Sequence, residues 1–463
     1  MKMNGEQLQT VKPLSKLQLI GYGIGDLAGQ FIWTFLGSYL TVYYTDIVGL
    51  APLAVSVLML VARLWDAIND PMMGALAERT RSKFGRFRPW ILFGSPILAV
   101  FGVFVFTAPF GNGTAGVIWA SVTYIIAGML YTAVGVPYAA LMSVMSTDTN
   151  EINQLSGMRT MGMYVGQIIV SFLSSGIILF FSQNGDTPVA RGYTFTAALY
   201  GIIAVILYFI VFKTSREVVK PLAGMEKVPI KTTLKNVVGN KYLMLVSVIM
   251  LLQMLGYMGR ISVTSYYVIY CIGSFTLIGI IMGIPCVSGA IGALLAAPIM
   301  KKLGKKKTLI LGMLVQAVAL IAIYLTPFDK MTLLLVEHFI YGFGGFAAPA
   351  ILSWVADSVD YQEDKTGVRT DGTAFATYGF ASKAGTAIGS AVGVMILQFY
   401  GYVANQQQTP RAMHGINVVV NLLPAIAFII GAVLCFFWKK SDREFDEIRT
   451  RLQRKREDAA KNA

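Results

Sequence analysis

The sequence predicts an all-α membrane protein with twelve membrane-spanning helices. Twelve apolar stretches are each long enough to cross a bilayer, for which a helix needs about 20 apolar residues, or more when it is tilted. Of the 463 residues, 55% are hydrophobic and only 13% are charged. A soluble domain of this length carries about twice that charged fraction, so the composition excludes an ordinary soluble fold.

The expected spans follow from the apolar runs and from the polar residues between them. We place helices at about residues 17–45, 51–78, 89–110, 115–146, 151–182, 193–213, 240–272, 276–300, 307–327, 331–361, 367–401 and 413–438. The segment from Lys213 to Lys241 is polar, contains two prolines and has no apolar period. The sequence therefore predicts two six-helix bundles, in residues 1–213 and 240–438, with a cytoplasmic linker at 214–239 and a cytoplasmic tail at 439–463.

The two predicted bundles share sequence features at matching positions. Gly74-Ala75-Leu76 precedes the basic loop Arg79–Arg86, and Gly292-Ala293-Leu294 precedes the basic loop Lys301–Lys307 at a similar separation. Such a parallel repeat is typical of transporters that hold a substrate between two halves near the bilayer midplane. The eighth span lacks the acids of the second span, so we expect any ion site in the first half.

Basic residues occur in alternate loops. Lysine and arginine concentrate in Arg79–Arg88, in the central segment, in Lys301–Lys307 and after Lys439, whereas the intervening loops carry almost no excess positive charge. This positive-inside pattern predicts a multi-pass membrane protein with both termini and the central segment in the cytoplasm. The net charge of +14 therefore reflects membrane topology, and no nucleic-acid partner is expected.

No cluster of metal-binding or nucleophilic residues is recognisable in the sequence. Cys271, Cys286 and Cys435 lie in apolar stretches without metal or redox spacing, and His338 and His414 are far apart. A membrane enzyme or a sensor needs a nucleophile, a metal cluster or a soluble domain. We therefore expect neither an enzyme nor a cofactor.

The second span contains acids at bilayer depth. Asp66 and Asp70 are four residues apart and share one face of a helix, with Asn69 beside them. A buried carboxylate is costly and is kept where a cation, a proton or a polar substrate meets it. Oxygen ligands suit Na⁺, and a shared proton suits the pair equally well. The alternative is a structural ion pair with Arg63.

Further charged residues lie deep in other spans. Asp26 in the first span is a candidate acceptor for sugar hydroxyls, and Arg159, Arg260 and Lys383 are candidate cavity residues. Each of these is equally suited to a structural ion pair, for which Glu337 in the tenth span is one candidate partner. Lys383 facing the acids of the first half would join the two halves across a cavity.

Aromatic residues and a charged helix end complete the candidates. Sugars stack on aromatic rings, so the candidates are Trp33, Tyr131, Tyr138, Tyr378 and Trp354; lipid-facing or core packing is the alternative.

Charged residues cluster near the cytoplasmic end of the tenth span, at Asp357, Asp360, Glu363, Asp364, Lys365 and Arg369. They form a candidate cytoplasmic gate through pairs with Arg79–Arg88 or Lys301–Lys307, unless they are a solvated loop with weak surface pairs.

Several longer motifs link the chain to a known family. They are Tyr44-Thr45-Asp46, Asp66 to Pro71, Arg79 to Trp90, Tyr131-Thr132 with Val136-Pro137-Tyr138, Ala356 to Tyr361, Gly367 to Gly372 and Gly401 to Asn405. With them the chain resembles, over essentially its whole length, the glycoside–pentoside–hexuronide:cation symporters of the major facilitator superfamily.

The resemblance implies a fold, an activity and a set of residues. It implies a symporter with two six-helix bundles, which moves a sugar glycoside with Na⁺ or H⁺. On this basis we expect a monomer in a bacterial inner membrane that works by alternating access. The implied cation site is Asp66, Asn69, Asp70 and Thr132, and the implied sugar site includes Asp26, Arg159 and Lys383. Gly135, Ala139 and Ala348 depart from the galactoside-binding pattern, which argues against a galactoside. The segment from Gly401 to Pro410 is more similar to glucuronide and pentoside carriers, so a glycoside of one of these kinds is expected. An uncoupled carrier or a drug exporter of the same fold is the alternative.

Overall fold

The computed structural model describes residues 13–146, 148–218, 239–367 and 371–462. Its helices are α1 (Lys16–Val42), α2 (Pro52–Arg79), α3 (Arg88–Phe104), α4 (Thr114–Met145), α5 (Thr149–Ser182), α6 (Ala190–Thr214), α7 (Lys241–Tyr266), α8 (Ile278–Leu303), α9 (Lys305–Leu325), α10 (Met331–Thr366), α11 (Asp371–Phe399), α12 (Pro410–Phe437) and α13 (Asp442–Asn462). The described residues include no β-strand, which confirms the predicted all-α class.

Local sequence explains where the helices begin and end. Ser15 and Gln18 form a reciprocal capping box at the start of α1. Pro52 opens α2 at a position where the missing N–H is not needed. Gly304 has a φ of +79° and makes the turn between α8 and α9. The positive φ of this glycine therefore ends α8 and separates it from α9.

Length and composition make this a multi-pass membrane protein. Ten of the described helical segments are long and apolar enough to span a bilayer. The helix α3 is apolar but has only 17 residues, and α1 is less apolar because it contains Asp26, Gln30 and several glycines. We refer to α1–α6 as the first half and to α7–α12 as the second half.

Some helices depart from regular geometry. Residues Tyr43–Ile47, Tyr267–Ile272 and Val418–Leu422 form π-helical turns, which leave backbone carbonyls without their usual partners. The expected tenth span is continuous, but in the structure Gly344–Ala347 forms a 3₁₀ turn within α10. The turn lies where α10 packs closely on α9, since a Cβ on Gly344 would lie 2.6 Å from Gln316 Cγ.

Two kinds of helix pair hold the molecule together. Within the halves, α1 packs on α5 and α6, and α7 packs on α11 and α12. Between the halves, α2 packs on α11, α5 on α8 and α1 on α7. The division into two bundles with a linker remains a prediction, because most of the linker (219–238) lies outside the described residues.

The close approach of α1 and α5 gives a test of this packing. A Cβ on Gly162 would lie 2.1 Å from the carbonyl oxygen of Gly23, whereas a Cβ on Gly157, on the same helix, meets nothing within 4 Å. Gly162→Ala should lower stability by about 1–3 kcal/mol through overpacking. Gly157→Ala should be neutral or raise it by up to about 1 kcal/mol. Thermal unfolding of the purified protein in detergent measures both, and equal melting temperatures would contradict the packing described here.

Candidate functional site

A cavity of about 440 Å³ lies between the two halves. Helices α1, α2 and α5 form one wall, and α7, α8, α9, α10 and α12 form the other. Four glutamines line it: Gln30, Gln167, Gln253 and Gln316. A glutamine amide both donates and accepts hydrogen bonds, so this lining suits a ligand that carries many hydroxyl groups.

The acids of α2 point away from the apolar outer surface of that helix. The side chains of Asp66 and Asp70 are 16% and 26% exposed. On the outer face, Leu64 and Ile68 are exposed by 59% and 56%. The two carboxylates therefore face the protein interior and are partly open to water, as a site that exchanges ions requires.

Asp70 joins the two halves. Its Oδ1 accepts a hydrogen bond of 2.9 Å from the Thr132 hydroxyl on α4. Its Oδ2 forms an ion pair with Lys383 on α11, in the second half. The sequence-based expectation that Lys383 faces the acids of the first half therefore agrees with the geometry.

Asp66 forms an ion pair with a residue of its own helix. Arg63 Nη1 lies 3.3 Å from Asp66 Oδ2, and the guanidinium also lies over the Trp33 ring at 4.3 Å. Asn69 is 3% exposed, and its amide nitrogen has no hydrogen-bond partner among the described residues. Two acids and two bases thus meet at this site, next to an unsatisfied amide.

Asp26 and Arg159 form a second ion pair, between α1 and α5. Arg159 Nε lies 2.6 Å from Asp26 Oδ2, and Nη2 lies 3.4 Å from Oδ1. Their side chains remain 24% and 29% exposed. Asp26 lies one helical turn before Gln30, and Arg159 one turn before Met163, both of which line the cavity. The pair therefore adjoins the cavity without lining it.

The predicted aromatic residues fall into different environments. Trp33 lines the cavity and stacks on Tyr131 with the ring centroids 4.4 Å apart. Tyr138 is 2% exposed, and its hydroxyl donates to the Tyr22 carbonyl. Tyr378 is half-buried on α11. Trp354 is buried against Trp438 at 4.1 Å, so its place is core packing.

Arg260 lines the cavity from α7. Its Nη1 donates to the Val420 carbonyl at 3.0 Å and to Asn421 Oδ1 at 2.5 Å. The expected alternative was an ion pair with Glu337, but no such pair is present between these described residues. Glu337 Oε1 instead accepts a hydrogen bond from Thr326.

The candidate cytoplasmic gate has a partner that sequence reasoning missed. Asp357 pairs with Lys305 at 2.8 Å, within the expected basic loop, and also with Arg449 on α13. Arg449 Nε also lies 3.0 Å from Asp360 Oδ2. Arg369 lies outside the described residues. The tail is thus bound to α10 as a helix, and these contacts are within one half rather than a described lock between halves.

One cluster of contacts between the halves lies at the face opposite the basic loops. Asp46, at the end of α1, accepts hydrogen bonds from the hydroxyls of Tyr270 and Tyr402, and its backbone carbonyl accepts one from the Asn405 amide. The sequence marked Asp46 only as part of a motif. The signal that could have revealed this cluster was an acid at a helix end facing a tyrosine-rich helix end.

Further hydrogen bonds between α1 and α7 support this cluster. Thr41 donates to the Ser262 carbonyl at 2.7 Å, and Ser265 donates to the Ser38 carbonyl at 2.5 Å. Thr45 and Tyr266 share a hydrogen bond of 2.8 Å between their hydroxyls. Hydrogen bonds between the two halves therefore extend from α1 to α7 on the face that carries Asp46.

Known proteins resemble the chain along its length. The family described as MFS/sugar transport protein matches residues 21–442. The isoprimeverose transporter of Lactiplantibacillus pentosus is 33% identical over 90% of this chain and 87% of that protein. The glucuronide carrier protein homolog of Escherichia coli (strain K12) is 28% identical over 94% of each. The solved structure of the nucleoside transporter NupG covers 92% of this chain and 100% of NupG, with a TM-score of 0.59 and 13% identity, and this likeness concerns the fold alone.

The Asp46 cluster predicts a conformational effect. Asp46→Asn keeps the shape of the side chain but replaces a charged acceptor by a neutral one. This should weaken the hydrogen bonds between the halves at Asp46 by about 1–3 kcal/mol. Spin labels on cysteines at Ala51 and Gln406, both exposed on this face, should then show a longer and broader distance distribution. Asp329→Asn removes an exposed acid whose described ion-pair partner is Lys330 and serves as the control. An unchanged distribution in Asp46→Asn would contradict the assigned role.

Proposed function

The chain belongs to the MFS/sugar transport protein family, in its glycoside–pentoside–hexuronide:cation symporter branch, and we propose on this premise that it couples sugar-glycoside transport to Na⁺ or H⁺. The observation that carries the proposal is the contact of Asp70 with both Thr132 and Lys383. One carboxylate there links a candidate cation ligand in the first half to a basic residue in the second half.

The proposed cation site explains how coupling arises. Asp66, Asn69, Asp70 and Thr132 supply hard oxygen atoms, which Na⁺ prefers, and either carboxylate can take up a proton instead. A cation at this position competes with Lys383 for Asp70 and frees the lysine from α2. The contact between α2 and α11 then depends on whether the cation is bound. Sugar and cation favour each other to the same extent, because coupling free energies are reciprocal.

The proposed sugar site is the glutamine-lined cavity together with the adjoining Asp26–Arg159 pair. Its volume of about 440 Å³ is within the usual range for small-molecule sites. Hydroxyl groups would pair with Gln30, Gln167, Gln253 and Gln316, and a pyranose face would lie against Trp33. Relatives named for isoprimeverose and for glucuronides support a glycoside as the substrate.

Alternating access is the proposed mechanism. Hydrogen bonds join the halves on the face with Asp46, and we infer from them that the cavity of this conformation opens toward the basic loops. If those loops are cytoplasmic, as the positive-inside rule indicates, the conformation is inward-open in a bacterial inner membrane. The two six-helix bundles, residues 1–213 and 240–438, would rock around the cavity, and a monomer would suffice.

An uncoupled carrier is the second candidate. Asp66 and Asp70 each have a basic partner in this conformation, so an exchange of these partners without any cation also fits the geometry. Uptake into vesicles of a panel of glycosides, under separate Na⁺ and proton gradients, distinguishes the two. A symporter accumulates sugar above the external concentration under one of the gradients, whereas a carrier only equilibrates it.

Removing the charge of Asp70 should abolish coupling. In Asp70→Asn, the ratio of internal to external sugar should fall to about 1, because cation binding can no longer displace Lys383. Downhill exchange of sugar should persist, since the cavity is intact. The exposed acid variant Asp329→Asn should accumulate sugar like the wild type. Full uphill accumulation by Asp70→Asn would refute the proposed cation site.

A further inference from the structure

We propose that the ends of α3 and α6 beside the basic loop bind an anionic phospholipid, with its headgroup against Lys83 and Lys213 and its acyl chains along the outer faces of the two helices. Among the described residues, neither helix contributes to the lining of the central cavity. The proposal therefore concerns a surface separate from the sugar and cation sites, and it does not depend on the proposed transport activity.

A connected set of aromatic rings joins the two helices at this end. The centroid of the Phe84 ring lies 6.3 Å from that of Phe93 and 5.5 Å from that of Phe212, and Phe212 lies 6.5 Å from Phe209. We call these four residues the ring cluster. Phe93 and Phe209 are exposed by 59% and 47%, so the cluster opens onto the lipid rather than into the protein core.

Two lysines lie on either side of the ring cluster. Lys83 Nζ is 5.1 Å from the centroid of the Phe84 ring, and Lys213 Nζ is 5.3 Å from that of Phe209. Both lysines are exposed, and neither forms an ion pair with a described residue. Basic residues between membrane helices at the cytoplasmic side are suited to acidic lipid headgroups.

Apolar stripes continue from the ring cluster along both helices. The exposed stripe residues are Phe93, Ile97 and Val100 on α3 and Ile202, Ile206 and Phe209 on α6. On each helix they recur at spacings of three or four residues, which places them on one face. Because α3 packs on α6 and the ring cluster joins the first residue of each stripe, both stripes run from the lysines into the bilayer. Charge followed by two apolar tracks matches the order of groups in a phospholipid.

The protein itself does not balance the positive charge of this surface. Residues 78–88 and 212–218 together contain seven basic residues and two acidic ones. The carboxylate of Glu217 accepts hydrogen bonds from the three backbone N–H groups of residues 86–88, and Glu78 is exposed at the end of α2. An excess of positive charge thus remains for a ligand.

A lipid fits this surface better than another part of the chain or a soluble anion does. The segment that follows α6, residues 219–238, contains four lysines and one acid, so its charge has the same sign as that of the surface. A soluble anion would use the lysines and leave the stripes without a partner. The positive-inside rule places this end at the cytoplasmic leaflet, where anionic lipids attract each basic residue by about fivefold in affinity.

A ligand series on the wild-type protein provides the first test. The delipidated protein in detergent is titrated with phosphatidylglycerol and with phosphatidylcholine of the same chains, and bound lipid is counted by native mass spectrometry. The proposal expects phosphatidylglycerol to bind at least tenfold more tightly, since two lysines contribute. Equal affinities would overturn it. Glycerol 3-phosphate and inorganic phosphate should not displace the lipid at equal concentration, and displacement by either would assign the site to a soluble anion and overturn the lipid.

A variant series identifies the residues. The double variant Lys83→Gln, Lys213→Gln should reduce the preference for phosphatidylglycerol to about twofold or less, and the charge-conserving pair Lys83→Arg, Lys213→Arg should keep most of it. The control is Lys301→Gln with Lys302→Gln, two exposed lysines at the corresponding end of α8, which should keep the full preference. Equal losses in the two glutamine pairs would show a non-specific charge effect and overturn the site. If a variant does not fold, the ligand series decides the question.

Discussion

The contact of Asp70 with Thr132 and Lys383 is the interaction on which the rest of this account depends. It is an ion pair between a helix of the first half and a helix of the second, placed beside the central cavity. Two unit charges about 4 Å apart attract each other by about 4 kcal/mol at an effective dielectric constant of 20. Under the proposed coupling, a cation that replaced Lys383 would change the energy between the halves by an amount sufficient to shift a two-state equilibrium.

The charged groups of the molecule differ in how completely other residues of the protein pair with them. Near the basic face, Asp357 pairs with Lys305 and with Arg449 on the tail helix α13. Asp66 and Asp70 of α2 each pair with a basic residue, and the proposed cation would compete with those partners. On the cavity wall, Arg260 keeps one edge without a described partner. The charges paired at the basic face, the acids of α2 and the Arg260 charge on the cavity wall thus occupy separate positions in the molecule.

Sequence reasoning found the charges but not all of their partners. The all-α class, the family and the inward position of Asp70 follow from hydropathy, motifs and helical spacing, which are local properties. The Asp46–Tyr402 and Asp357–Arg449 contacts join residues far apart in the chain, and no local pattern specifies them. The four glutamines were visible as polar residues in apolar spans. Their convergence on one cavity depends on how the helices pack, which periodicity does not fix.

The most direct test of the central claim is calorimetric titration of the purified protein with a glycoside, with and without Na⁺ and at two pH values. The account predicts that the coupling cation raises sugar affinity by about 5- to 150-fold, and that Asp70→Asn removes this effect. A sugar affinity that is the same with and without every cation, in a wild-type protein that binds the sugar, would contradict the account.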